Sequence, residues 1–296
     1  MGASNAHYSS YRRDIDGLRA LAVLPVLLFH AKLGCPGGFV GVDVFFVISG
    51  FLISSLILKE LDDGTFSLIT FWERRIRRIL PALTVVVLTC LVAGWILYLP
   101  EDFEMLGKSV IAQATLLSNV FFYRQGLVGG GYFAAASDTK TLLHTWSLAV
   151  EEQFYLLFPL LLLFLARYRR LFLAPTIAGL VVVSLVLSIV GSYSYPQATF
   201  YLLPARAWEL LLGSLLTLMR GRFALGGLLR ETAGWFGISL VGYAMLFYGV
   251  DTRFPGAAAI SPCLGAALII FSSESRLSFV GRILSIKPVV FVGLIS

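Results

Sequence analysis

Arg19 and His30 are the first two residues whose types and spacing could support catalysis. They stand 11 positions apart in the first apolar run, which places both on one face of a helix and about 16 Å apart along its axis. Ionisable groups within an apolar span are costly and mark candidate functional sites, and an imidazole can act as a general base near neutral pH. The pair alone leaves a structural alternative open, in which the arginine extends to the membrane surface and the histidine packs through a hydrogen bond.

A second set of polar residues recurs at intervals of 3, 4 and 4 positions and forms a stripe on one helix face: His144, Ser147, Glu151 and Tyr155. Glu152 points about 100° away from that stripe. Two carboxylates within one apolar span are difficult to explain by packing alone. We expect them to polarise His30 or to line the path of an acceptor.

Asp43 lies in a glycine-rich apolar run from Gly37 to Gly50. The glycines predict a close approach between helices. An acidic side chain near the outer end of an apolar span should face protein or water rather than lipid. Asp43 could therefore orient a catalytic imidazole, or it could be a structural carboxylate that caps a neighbouring helix.

Arginines cluster immediately before the third apolar run, where Arg75 and Arg78 share a helical face, as do Arg74 and Arg78. Guanidinium groups suit phosphate, although such a cluster is also a topology signal that touches anionic lipid. Arg206 and Glu209 open a later run three positions apart and could form an ion pair within one helix.

The composition excludes a water-soluble globule. The chain of 296 residues is 58% hydrophobic and 14% charged, with a mean hydropathy of +0.85, whereas soluble domains carry about 25% charged residues. The net charge of +6 fits basic loops at a cytoplasmic membrane face rather than nucleic-acid binding. The cysteines, Cys35, Cys90 and Cys263, form no CxxC pair, so we expect neither a disulfide framework nor a metal site.

The apolar runs predict an all-α transmembrane bundle. They cover about 18–34, 38–58, 79–99, 105–122, 141–166, 171–192, 200–219, 231–249 and 258–272, with a last run from about 285 to the end. The segment 1–14 lacks the features of a cleavable signal and should be a cytoplasmic tail. We assign 15–296 to one transmembrane domain and expect it to be incomplete at the C-terminus, because the last run is too short to cross.

The run 105–122 contains several polar residues, and the positive-inside rule decides whether it crosses. If it does not cross and the N-terminus is cytoplasmic, 17 of the 23 lysines and arginines lie inside and 6 outside. If it crosses, this asymmetry nearly disappears. We therefore predict a re-entrant or interfacial segment there, within an outer loop over about 100–140, and eight full spans with a partial ninth.

Five features occur in this order along the chain: the Arg19–His30 pair, the glycine-rich run, the arginine cluster, the polar stripe from His144, and LPARAWELLLG at 203–213. This order resembles the acyltransferase 3 family over about Tyr11 to Ser296. Members are bacterial membrane proteins that O-acylate lipopolysaccharide O-antigen, peptidoglycan and other glycans. The resemblance matches the family's arginine–histidine pair, its R-x-x-R motif and its acidic motif to six residues here: Arg19, His30, Arg75, Arg78, Glu151 and Glu152.

The resemblance implies an enzyme that moves an acyl group, expected to be acetyl, from cytoplasmic acyl-CoA to a hydroxyl of an extracytoplasmic glycan such as lipopolysaccharide, peptidoglycan or exopolysaccharide. It places the protein in the bacterial inner membrane with several spans and a cytoplasmic N-terminus. Acyl-CoA is a donor substrate, so no permanently bound cofactor is expected, and nucleic acid is not an expected partner. Some members carry a fused extracytoplasmic SGNH hydrolase-like domain, so a separate SGNH-type transferase could be a partner.

Two other functions stay open. A transporter or flippase of lipid-linked glycans would also have polar clusters within its spans. A non-catalytic membrane scaffold would leave the buried carboxylates unexplained.

Under the enzyme interpretation the candidate residues fall into three groups. The catalytic group is His30, Glu151, Glu152 and Asp43, with Glu151 or Asp43 expected to orient the imidazole. The group that binds the acyl-CoA donor is Arg19, Arg75, Arg78 and Arg74. The group on the acceptor side is His144, Ser147, Tyr155, Arg206 and Glu209.

Overall fold

The computed structural model describes residues 11–129, 132–133, 140–221 and 225–296. Most of the predicted tail, part of the predicted outer loop and Arg222, one of the basic residues assigned to the inside, lie outside the described residues. The predicted all-α class is confirmed, because the described residues form helices and turns and contain no strand.

The described residues form α-helices of very different lengths. Their bounds are α1 Arg13–His30, α2 Gly41–Asp62, α3 Leu68–Leu97, α4 Pro100–Ala114, α5 Ser118–Gly129, α6 Thr145–Tyr168, α7 Leu173–Ser194, α8 Pro196–Tyr201, α9 Leu203–Met219, α10 Gly227–Phe247, α11 Ile260–Ser272, α12 Phe279–Leu284 and α13 Lys287–Leu294. Local residues explain where several begin. Ser67 caps α3 by accepting a hydrogen bond from the Thr70 N–H at 3.4 Å. Prolines stand in the first turns of α4, α8, α9 and α13, where a missing N–H costs no helical bond.

The described helices support a multi-pass membrane protein. Five segments are long and apolar enough to span: Gly38–Asp62, Leu68–Leu97, Thr145–Tyr168, Arg170–Ser194 and Pro196–Met219. The outward surface of α3 is apolar, with Val85 65% and Trp95 75% exposed, which is expected in lipid and unfavourable in water. The predicted number of eight full spans is not confirmed. One reason is that the apolar helical segment Gly256–Ser272, which contains α11, is no longer than the lower limit of the roughly 17 to 25 residues that a span needs.

Helices α3 and α6 run side by side in opposite directions. Near the start of α3, the Trp72 Nε1–H donates to Tyr155 O at 3.1 Å. Just beyond its end, the Tyr98 hydroxyl hydrogen-bonds the Thr141 hydroxyl before α6 begins. The chain therefore leaves α3 and enters α6 at the same end of the bundle, so the intervening segment returns to the side where it started. This geometry supports the predicted re-entrant or interfacial segment near 105–122.

Over residues 100–129, the intervening segment forms a hairpin of two helices. Helices α4 and α5 have 15 and 12 residues, and they are separated by a turn in which Leu116 has φ +59°. Side-chain amides attach this turn to α6. Gln153 Nε2 donates to Asn119 Oδ1 at 2.9 Å and to Leu116 O at 2.8 Å. Gln153 lies about 12 Å along α6 from the first residue of that helix, so the tip of the hairpin contacts the first half of α6.

Glycine allows α2 and α9 to pack in direct backbone contact. A Cβ added at Gly213 would lie 2.0 Å from Val47 O, and one added at Gly50 would lie 1.8 Å from Leu210 O. Helix association in a bilayer depends on such close packing. The glycine-rich run behaves similarly, since a Cβ at Gly41 would lie 2.2 Å from Ala22 O of α1. Its predicted role in close helix approach is confirmed.

We expect Gly213→Ala to destabilise the bundle by about 1–3 kcal/mol, the usual cost of overpacking. The new methyl group would force α2 and α9 apart, because its nearest neighbours are backbone atoms. Thermal unfolding in detergent measures the effect. Gly179→Ala in α7 is the matched control, because nothing lies within 4 Å of its added Cβ. Equal melting temperatures for the two variants would contradict the packing argument.

Candidate active site

A cavity of about 230 Å³ lies between α1, α2, α3 and α6. Arg19, Arg75 and Arg78 line it, together with Glu151 and Tyr155. It extends from these arginines along α2 to Phe45 and along α6 to Leu148. Phe45 lies near the start of α2 and Leu148 near the start of α6. These two helix ends are at the other end of the bundle from the start of α3. The structure therefore brings together three of the four residues predicted to bind the donor.

The three arginines make the cavity rich in positive charge. Arg19 lies 3.6 Å from Asp16 Oδ1 and donates to Ser296 O at 2.7 Å. The Nε of Arg75 is buried and has no hydrogen-bond partner among the described residues. Arg78 is exposed and close enough to Arg19 for their like charges to interact. An anionic ligand would relieve this repulsion.

Arg74 and Arg77 point elsewhere. Arg74 forms an ion pair with Glu60 at 2.7 Å, between the end of α2 and the start of α3. It does not line the cavity with Arg75 and Arg78. Its predicted place in the donor group is therefore not supported, because its guanidinium already has a carboxylate partner. Arg77 is exposed and pairs with Glu73 at 2.7 Å.

Glu151, Tyr155 and Ser49 form a chain of hydrogen bonds along the wall of the cavity. The Tyr155 hydroxyl donates to Glu151 Oε2 at 2.9 Å and is also hydrogen-bonded to the Ser49 hydroxyl. Tyr155 was expected on the acceptor side, but the structure places it beside the arginines. Ser49 was not predicted as a site residue, although it lies within the glycine-rich run.

Glu152 faces away from this cavity, as its helical position predicts. It lines a second cavity with Gln113 of the hairpin. The structure therefore separates the two adjacent carboxylates into two different environments.

His30 is exposed at the last residue of α1 and does not line the central cavity. Its Nδ1 lies 2.9 Å from Val26 O and its Nε2 lies 3.3 Å from the Tyr132 hydroxyl. Since a carbonyl oxygen only accepts, the neutral ring carries its proton on Nδ1, and Nε2 keeps the lone pair of a base. Among the described residues, neither Glu151 nor Asp43 hydrogen-bonds the ring. The expectation that one of them orients the imidazole is not met, and Tyr132 was not predicted.

His144 and Ser147 lie at the start of α6. His144 is exposed and close enough to His30 for their charges to interact. The Ser147 hydroxyl donates to His144 O at 3.1 Å. Its hydrogen bond is therefore made within the first turn of α6. The structure therefore places His144 near the imidazole of His30.

Asp43, Arg206 and Glu209 form a fully buried ion cluster. Arg206 Nη1 lies 2.9 Å from Asp43 Oδ1 and 2.8 Å from Glu209 Oε1, and no side chain in the cluster is more than 1% exposed. Four aromatic rings surround the guanidinium, with centroids 5.4–5.7 Å away: Phe46, Trp146, Phe200 and Phe254. Catalysis by Asp43 and acceptor binding by Arg206 and Glu209 were expected. The structure instead matches the structural alternatives, because the cluster joins α2 to α9 out of reach of solvent.

Asp43, Glu209 and Cys263 bring potential metal ligands within 4.8 Å of one another. The guanidinium of Arg206 already lies between the two carboxylates and supplies their counter-charge. A divalent cation would meet repulsion from this fixed positive charge. These residues therefore fit an ion cluster better than a metal site.

Comparisons with known proteins identify the family of the chain. A model of the acyltransferase 3 family, described as an acyltransferase domain, matches residues 12–296. The chain is 40% identical over 225 residues to SAS0844, a protein of Staphylococcus aureus strain MSSA476 named as a candidate O-acetyltransferase. It is 37% identical over 221 residues to the O-acetyltransferase OatA of Staphylococcus aureus strain NCTC 8325. Each alignment covers 73% of this chain and 36% of the relative, so the chain spans about a third of the length of these relatives.

No solved structure matches the chain significantly. The family match nevertheless covers nearly all of the described residues, including the helices that form the central cavity. The chain belongs to the acyltransferase 3 family.

Proposed function

We propose that this chain is the transmembrane part of an O-acetyltransferase that takes an acetyl group from acyl-CoA and delivers it to a hydroxyl of an extracytoplasmic glycan. The observation that carries the proposal is the central cavity. Arg19 from α1 and Arg75 and Arg78 from α3 meet at one end of it. Its other end approaches the start of α2 and α6. The relatives are named as an O-acetyltransferase and a candidate O-acetyltransferase, and this favours the same chemistry.

The arginine end suits the phosphate groups of CoA. Guanidinium groups bind phosphates through charge-assisted, often bidentate hydrogen bonds. Arg75 has a buried Nε without a partner among the described residues, and the like charges of Arg19 and Arg78 favour an anion between them. The arm of CoA would then extend about 16 Å along α1, the separation of Arg19 and His30.

His30 would be the base or the nucleophile. As a base, Nε2 takes the proton of the glycan hydroxyl while its oxygen attacks the thioester carbon. The new ester C–O bond forms, the C–S bond breaks, and the imidazolium returns the proton to the departing thiolate. As a nucleophile, Nε2 would bond to the acetyl carbon while the C–S bond breaks and the thiolate leaves, and the glycan hydroxyl would then displace the imidazole and give its proton to the thiolate. The lone pair on Nε2 serves either route.

The proposed setting is the bacterial inner membrane, with the N-terminus and the arginine cluster on the cytoplasmic side. The distribution of basic residues supports this orientation. The acceptor would be lipopolysaccharide, peptidoglycan or exopolysaccharide. A separate extracytoplasmic transferase of the SGNH type could receive the acetyl group before the glycan does.

Labelled acetyl-CoA supplied to inverted membrane vesicles tests the function and the orientation together. We expect label on glycan from inverted vesicles and little from right-side-out vesicles, because only the former present the arginine end to the medium. A flippase would move glycan without labelling it. Equal labelling from both vesicle types would contradict the proposed orientation.

In that assay we expect Arg75→Ala and Arg78→Ala each to lower kcat/KM for acetyl-CoA by about 10- to 100-fold, since hydrogen bonds to charged groups contribute roughly 1.5–3 kcal/mol. Arg77→Ala is the matched control on the same helix, because Arg77 is exposed and outside the cavity. Losses of similar size in all three variants would indicate a general effect of charge rather than a binding site.

A further inference from the structure

A second cavity, of about 500 Å³, lies between α3, the tip of the α4–α5 hairpin and α6. Its walls are mainly apolar: Ile76, Ile79, Leu80, Leu83, Leu116 and Leu156. We call it the lateral groove. Only Phe71 and Gly94 of α3 are buried, so α3 stands partly away from the rest of the bundle and leaves the groove beside it.

The lateral groove opens towards lipid. Ile76 is 57% exposed, Leu80 52% and Leu156 45%. These residues belong to α3 and α6, which are both long and apolar enough to span the membrane. In a bilayer, their exposed surface meets hydrocarbon, so a molecule dissolved in the membrane can enter the groove sideways.

At the hairpin end of the groove, polar side-chain atoms lack hydrogen-bond partners among the described residues. Gln113 is 3% exposed, and neither its Nε2 nor its Oε1 has a hydrogen-bond partner among the described residues. The Oε2 of Glu152, on the facing helix, is also buried and unpartnered within the described part of the chain. Buried polar groups are normally hydrogen-bonded, because desolvation without a partner is costly. One donor and two acceptors therefore face a single apolar groove.

We propose that the lateral groove binds a neutral, single-chain membrane amphiphile. The hydrocarbon chain lies along Ile76, Leu80 and Leu156, and a hydroxyl-bearing polar end meets Gln113 and Glu152. A hydroxyl can donate its one proton either to the carboxylate of Glu152 or to Gln113 Oε1, and it can accept from Gln113 Nε2. An anionic headgroup fits this end less well, since the Glu152 carboxylate beside Gln113 would repel it, whereas Arg75 lies in the wall that the groove shares with the central cavity.

This binding does not depend on the acetyl transfer proposed above. The lateral groove does, however, share Arg75, Ile79 and Tyr155 with the central cavity. An amphiphile held by Gln113 and Glu152 therefore lies beside the site proposed for the acyl donor.

A photoactivatable diazirine monoacylglycerol, added to the protein in lipid nanodiscs, tests the proposal. We expect saturable cross-links in the peptides that contain Leu80 and Leu156, competed by excess unlabelled monoacylglycerol. Leu156→Trp should fill the groove and lower the competed labelling about tenfold. Leu157→Trp is the matched control, because Leu157 is 57% exposed on the same helix and does not line the groove. Labelling that is spread evenly over α3 and α6 and resists competition would show ordinary bilayer lipid and overturn the proposal.

Gln113→Leu tests the polar end separately. Gln113 bonds no described residue, so this variant should fold and melt at least as high as the wild type. We expect it to bind the probe roughly tenfold more weakly, the loss of about one hydrogen bond. Unchanged, fully competed labelling in Gln113→Leu would refute the role of Gln113.

Discussion

Arg206→Met is expected to cost the bundle about 3–5 kcal/mol, the usual cost of removing one partner from a buried ion pair. Arg206 Nη1 bonds both Asp43 and Glu209, so its loss leaves two carboxylates buried without a counter-charge. Methionine keeps much of the side-chain volume, which limits the contribution of a cavity. Thermal unfolding in detergent should show a strongly lowered melting temperature or a failure to purify as a monodisperse protein.

Two further variants make this expectation specific to the cluster. Adding Asp43→Asn and Glu209→Gln to Arg206→Met removes the uncompensated charges and should restore part of the stability. Lys108→Met removes the partner of Glu104 from an ion pair that is exposed on both sides, so we expect no measurable change in melting temperature. If Arg206→Met melts like the wild type, the cluster does not hold α2 and α9 together.

His30→Ala is expected to reduce acetyl transfer to glycan by about 10²–10⁴-fold, the range for loss of a general base. The folded structure should persist, because the ring is exposed and its described hydrogen bonds go only to Val26 O of its own helix and to Tyr132. Binding of acetyl-CoA at the arginine end should remain, so kcat should fall more than the affinity for the donor.

Leu27→Ala provides the control for His30, since Leu27 is 59% exposed on the same helix and carries no ionisable group. The assay is label transfer from acetyl-CoA to glycan in inverted vesicles, with expression and melting temperature measured for each variant. Wild-type transfer by His30→Ala would exclude this histidine as the catalyst. That result would not bear on the expected loss of kcat/KM in Arg75→Ala and Arg78→Ala, which is measured separately.

Much of the fold follows from local information. Most apolar runs in the sequence became helices within a few residues of the predicted bounds, because a bilayer requires every backbone group to be bonded within its own segment. The exceptions include the run 79–99, which is only the later part of α3 Leu68–Leu97, and the run 105–122, which is divided between α4 and α5. The positive-inside rule predicted that the run 105–122 does not cross, and the structure has the hairpin of α4 and α5 there. The number of spans did not follow as reliably, because several apolar runs, such as the one that became α11, are short for a span.

Contacts in the candidate site were predictable where both residues lie on the same helix. Glu151 and Tyr155 are four positions apart on a helix, and they bond each other as that spacing implies. Arg75 and Arg78 line one cavity because they share a face of α3. The bond between Arg74 and Glu60 was not predictable, since it joins two helices across a turn.

The sequence by itself determined the class of the protein, the order of its helices and the ionisable residues that each helix carries, because composition and periodicity are local properties. Only the tertiary structure decided the partners of those residues. It buried Asp43 with Arg206, 163 positions away, and it brought Arg19 to Arg75 and Arg78 around one cavity. It also left Gln113 facing an apolar groove. These outcomes depend on which helix faces pack together, and glycines such as Gly50 and Gly213 allow that packing through contacts far apart in the chain.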